Sequence, residues 1–183
     1  MKIIRLLSLV TLFCAVTFSA WSTNNPRRAY PAHIGRGMTG YVTFNEFHGG
    51  FGLGTTTVPY SRSLIGFTTV HGYAIDNFFT IGGGTGVSFY NGGTMIPLFL
   101  DLRYHHDYQQ RFVPFVFGNG GFLFDINDIN TGSKLFLNAG PGVSYAASNR
   151  LAFNLGSGLL IQMGQTSRNS FINVKLGVTY KLN

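Results

Sequence analysis

The sequence predicts an all-β fold: an eight-stranded antiparallel up-and-down transmembrane β-barrel preceded by a cleaved signal peptide. Three observations lead there. The last stretch, Ser170 to Asn183, alternates strictly, with Ile172, Val174, Leu176, Val178, Tyr180 and Leu182 apolar and Asn173, Lys175, Gly177, Thr179 and Lys181 between them. A period of two marks a strand with one greasy and one polar face, here long enough to cross a bilayer. Only 10% of the residues are charged, against about a quarter in a soluble domain, while glycine and aromatic residues are abundant. No run of about 20 apolar residues offers a spanning helix, so a membrane crossing falls to strands.

The chain divides into a signal peptide (1–22), a tail (23–37) and a barrel domain (38–183). Lys2 and Arg5 open the leader, Leu6 to Phe18 form a short apolar centre, and Ala20-Trp21-Ser22 supplies small residues for cleavage. Export follows. Thr23 to Gly37 has no periodicity and reads as a periplasmic tail. The single cysteine, Cys14, lies in the leader, so the mature chain has no disulfide or thiolate metal site, and no cofactor or metal is expected. The formal charge of +7 is scattered singly rather than gathered on one face, which speaks against a nucleic-acid partner.

The first strand, Thr39 to Gly54, alternates worst: Tyr41, Phe47, Phe51 and Leu53 share one parity, Val42 and Phe44 the other. A bulge near Asn45 to Gly50 would reconcile them. The second, Ser63 to Ile75, directs Ile65, Phe67, Tyr73 and Ile75 outward, opposite Gly66, Thr68, Gly72 and Ala74. After the Asp76-Asn77 turn, the third (Phe78 to Tyr90) sets Phe79, Ile81, Val87 and Phe89 outward past Gly82, Gly84 and Gly86. The fourth, Met95 to His105, turns Ile96, Leu98, Leu100, Leu102 and Tyr104 out and Asp101, Arg103 and His105 in. The fifth, Arg111 to Phe124, is so aromatic that polarity does not assign its faces. The polar loop Asp125 to Ser133 follows, and its two carboxylates do not have EF-hand spacing. The sixth, Lys134 to Tyr145, turns Lys134, Asn138 and Ser144 inward, and the seventh, Arg150 to Gln162, does the same with Arg150, Asn154 and Gln162.

An even strand count leaves both chain ends on the periplasmic side. Asp101 and Arg103 are set to pair in the lumen, and closure of the last strand on the first can bring Lys175 to Glu46. Glu46, Asp101, Arg103 and Lys175 are therefore the candidate lumen ion pairs, read as a plug. Loops 55–62, 125–133 and 164–169 would face outside the cell, where they are the candidate contacts for an extracellular ligand.

Lys175-Leu176-Gly177-Val178-Thr179-Tyr180-Lys181-Leu182 resembles the C-terminal signature of outer-membrane barrels, a polar residue, a glycine two on, then hydrophobics. Asn183 departs from it, since many relatives end on an aromatic. From about Thr39 onward the chain is similar to the small eight-stranded barrels of the OmpA transmembrane-domain and OmpX kind. The resemblance implies residence in the bacterial outer membrane, contact with its lipids, and recognition of Lys175, Gly177, Tyr180 and Leu182 by the barrel-assembly machinery.

A structural or surface-interaction role without a large pore is the leading expectation, because eight strands enclose a bore that side chains fill. One alternative is a barrel enzyme acting on lipid or peptide. Of His33, His48, His71, His105 and His106, only His48 near Glu46 makes a pair worth testing, since the expected topology sets His105 and His106 at the periplasmic rim and His71 towards the inner half. No catalytic signature accompanies the pair, so the chain is read as not an enzyme. The other alternative is a soluble lipocalin-like barrel with its apolar face turned inward around a small ligand.

Overall fold

A computed structural model describes residues 40–54, 60–76, 78–106, 111–126, 133–148, 150–164 and 168–182. The expected signal peptide and tail lie outside the described residues. Alternation along the chain produces β1 (Gly40–Gly52), β2 (Ser63–Ala74), β3 (Phe79–Tyr90), β4 (Gly93–His105), β5 (Phe112–Asp125), β6 (Lys134–Ala146), β7 (Leu151–Met163) and β8 (Arg168–Lys181). Each strand pairs antiparallel with the next, and β8 closes on β1 from Val42↔Lys181 to Gly52↔Phe171. Closure leaves no unpaired sheet edge, which a strand in hydrocarbon requires.

Turn chemistry explains the short connections at the end where β1 begins. The Asp76 carboxylate accepts hydrogen bonds from the backbone N–H groups of Phe78 and Phe79, both at 2.7 Å. Between β6 and β7, Ser148 Oγ does the same for Leu151 at 3.1 Å. Arg150 belongs to that turn and is exposed, so it does not face the lumen as the alternation of the seventh segment suggested.

The greasy stripe points outward. Phe51 is 76% exposed and Leu100 66%, whereas Asp101 and Gln162 are fully buried. Near the β1 start, Tyr41, Tyr73, Phe79, Tyr104, Phe112 and Tyr180 ring the outside, with Phe112 and Tyr145 rings 5.0 Å apart. Phe51, Phe89 and Phe122 ring the other end. An apolar belt between two aromatic girdles is stable against acyl chains and unstable in water. A lipocalin-like arrangement has the opposite polarity, and the structure rules it out.

Two departures come from the lumen. β1 carries no bulge: it pairs residue for residue with β2 from Gly40↔Ala74 to Phe51↔Ser63 and with β8 along its length. Val42 and Phe44 break the polarity pattern because they truly point inward, into an apolar fill shared with Phe99, Phe136 and Phe171. On β5, Phe115 and Phe117 point in while Phe112 and Phe122 point out. Asp125, read as the start of a loop, is the buried last residue of that strand.

Candidate functional site in the barrel lumen

At mid-height the inward positions of four strands meet. Asp101 and Arg103 stand two apart on β4 and so share the inner face. Asn119 on β5 is the register partner of Asp101. Across the closing seam His48 pairs with Lys175 and Glu46 with Gly177, which sets Lys175 diagonal to Glu46. Gly177 has a steric reason to lack a side chain: a Cβ there would lie 2.7 Å from Glu46 Cγ.

The four candidate ion-pair residues come together in this layer. Arg103 Nη1 is 2.8 Å from Glu46 Oε1, and its Nε and Nη2 donate to the two Asp101 carboxylate oxygens at 2.9 and 3.1 Å. Asn119 Nδ2 donates to Asp101 Oδ2, and Asn119 Oδ1 accepts from Lys175 Nζ at 2.6 Å. Lys175 Nζ also lies 3.5 Å from Glu46 Oε2. Two carboxylates and two cations give a formally neutral cluster. Exposures of 0% for Asp101, 2% for Arg103 and 3% for Glu46 mean that water does little to weaken these contacts.

Aromatic faces complete the cage. The Arg103 guanidinium sits 3.9 Å from the centroid of Phe44, and Lys175 Nζ sits 4.3 Å from that of Phe117. Sequence reasoning missed Asn119, Phe44 and Phe117. Asn119 and Asp125 have the same parity on β5, and that polar pair was the signal that would have turned both inward.

The structural comparisons concern the barrel. Neisserial surface protein A has a TM-score of 0.56 at 16% identity, covering 78% of this chain and 96% of that one. The outer membrane protein OprG from Pseudomonas aeruginosa also has a TM-score of 0.56, at 10% identity, covering 83% of this chain and 100% of that one. The N-terminal β-barrel domain of Pseudomonas aeruginosa OprF has a TM-score of 0.50 at 17% identity, covering 78% of this chain and 100% of that domain. The chain has the fold of the small outer-membrane barrels. No family model and no curated protein matches it.

The remaining candidates sit elsewhere on this outer-membrane barrel fold. His48 faces the lumen, and its Nε2 lies 3.2 Å from Ser88 Oγ, not against Glu46. His105 lines the lumen near the β1 start, 5.5 Å ring to ring from Phe115. His71 is on the outer wall, and His33 lies outside the described residues. Of the C-terminal signature, Lys175 and Gly177 face the lumen, while Tyr180 and Leu182 face outward.

Among the described parts of the three candidate ligand loops, Tyr60 is the junction. Its hydroxyl donates to Asp125 Oδ2 at 2.5 Å, its carbonyl accepts from Asn169 Nδ2 at 3.3 Å, and Lys134 Nζ lies 4.7 Å from its ring centroid. Its φ of 66° is left-handed, a conformation that a tyrosine adopts only when neighbours hold it. Gly93 leaves the space: a Cβ there would lie 2.3 Å from the Tyr60 hydroxyl.

Proposed function

We propose that the protein is a non-catalytic barrel of the bacterial outer membrane with a structural or surface-interaction role, its lumen plugged and its loops presented to the outside. The Arg103-centred cluster carries this reading. It joins inward side chains from β1, β4, β5 and β8, and apolar side chains together with polar ones such as Ser144, Asn154, Thr179 and Gln162 fill the bore above and below it. Two cavities that line the lumen among the described residues are about 40 Å³ and about 50 Å³, room for little more than a few waters.

The same dimensions argue against an enzyme. His48 and Ser88 form a base–hydroxyl pair, but they line the cavity of about 40 Å³. A site that takes a lipid or peptide group needs on the order of 300 Å³ or more. Lipid A from cells with and without the protein should have identical acyl patterns; a difference would revive catalysis.

Planar-bilayer recording tests the plug directly. The refolded barrel should show no large, stable conductance steps, and an open channel of porin size would refute the reading. Contact of the belt with outer-membrane lipids, recognition of Lys175, Gly177, Tyr180 and Leu182 by the assembly machinery, and binding of an extracellular ligand by loops 55–62, 125–133 and 164–169 belong to the same proposal.

A further inference from the structure

The outer wall is not uniformly apolar. Between the girdles, the outward positions of β4 to β8 are hydrophobic residues, glycine, alanine or proline, with Ser157 the exception. On β1 to β3 the wall changes character. Thr43 and Asn45 on β1 pair with His71 and Thr69 on β2, and Thr69 and His71 pair in turn with Thr85 and Gly83 on β3. These five polar side chains form one continuous outward patch.

Apolar residues enclose it on every side. Tyr41 and Tyr73 bound it towards one girdle, and Phe47 and Phe67, with rings 5.0 Å apart, towards the other. Val178 flanks it on β8, and Leu98 and Leu100 flank it on β4. The barrel satisfies part of the patch: the Tyr41 hydroxyl and His71 Nδ1 are 2.5 Å apart, and Thr43 Oγ1 donates to the Tyr180 carbonyl at 3.3 Å. Among the described residues, the exposed carboxamide of Asn45 has no partner.

An amide facing acyl chains without a hydrogen bond is costly, and hydrocarbon cannot supply one. We propose that this patch is the contact face of a homodimer in the bilayer, two copies meeting about a two-fold axis along the membrane normal. Three features select a second copy. The patch has no carboxylate, lysine or arginine, so like meets like without fixed-charge repulsion. A carboxamide both donates and accepts, so Asn45 can pair with Asn45 of its copy. Barrels inserted in one direction hold the patch at the same depth, so polar atoms meet at equal height. Gly83 keeps the wall low at the join, where a Cβ would meet only the Phe99 carbonyl oxygen, at 4.0 Å.

This inference rests on the barrel lying in a bilayer, and the experiment separates the two. The full chain carrying Cys14→Ser is refolded into phosphatidylcholine vesicles at high lipid-to-protein ratio, and the floating, heat-modifiable fraction is kept. A chain that never floats overturns the membrane reading and this one with it. In the inserted fraction, Asn45→Cys should cross-link to dimer on mild oxidation, while Leu137→Cys on the opposite wall should not. The dimerisation constant read from energy transfer between donor- and acceptor-labelled copies should fall about three- to twentyfold in Asn45→Leu, a change that leaves the lumen untouched. Equal cross-linking at both positions, cross-linking at neither, or unchanged transfer in Asn45→Leu would each overturn the dimer.

Discussion

Removing the Arg103 guanidinium would strand Glu46 and Asp101 as buried carboxylates with only Lys175 to balance them. Arg103→Met is therefore expected to cost about 3–5 kcal/mol, measured as a lower urea midpoint for vesicle-embedded protein. Adding Glu46→Gln and Asp101→Asn to the same chain should recover part of that loss, since the unpaired charge goes with them. Tyr60 gives a prediction in pH. Its hydrogen bond to Asp125, with lesser contributions from burial and the Asp125 charge, pushes its pKa from 10 up to about 12. The folded state thus favours the protonated phenol. Its contribution is complete below pH 10 and disappears as pH rises from about 10 to 12. Tyr60→Phe should flatten the unfolding midpoint over that interval, and an unchanged slope would show that the bond to Asp125 contributes nothing. Asp101, Arg103 and Lys175 could be assigned to the lumen from the sequence because each sits among large apolar neighbours of opposite parity. Phe44, Phe115 and Phe117 could not, since a phenylalanine is as stable over a buried cation as against lipid.

At the level of the strand, period-two patterning located every segment to within one or two residues; besides turning the exposed Arg150 inward, it failed on two strands whose apolar side chains occupy both faces. β1 and β5 are those strands. Their faces follow from register: a bulge on β1 would have thrown Glu46 out of reach of Arg103. Backbone crowding supplies a second constraint that polarity does not carry. A Cβ on Gly140 would lie 1.9 Å from the Ser157 carbonyl oxygen and 2.6 Å from Gly158 Cα, whereas one on Gly118 meets nothing within 4 Å. Gly140→Ala must push β6 and β7 apart and should destabilise by about 1–3 kcal/mol, or more if the strands cannot yield. Gly118→Ala should stay within about 0.5 kcal/mol. Equal unfolding midpoints for the two variants would contradict the packing described here.

For the molecule as a whole, a closed ladder and a filled bore predict resistance to detergent at room temperature, with a gel shift on boiling that marks the folded barrel. The ion layer also bears on the order of assembly. Glu46, Asp101 and Arg103 are contributed by β1 and β4, but Lys175 arrives on β8, the strand that completes the circle. Until that strand docks, the interior holds one negative charge too many in a space about to lose its water. Electrical neutrality and geometric closure are thus reached in the same event, which makes the seam the place where a half-zipped intermediate is held back or released. Lys175→Met should slow the appearance of the heat-modifiable form more than a substitution of similar cost placed away from the seam.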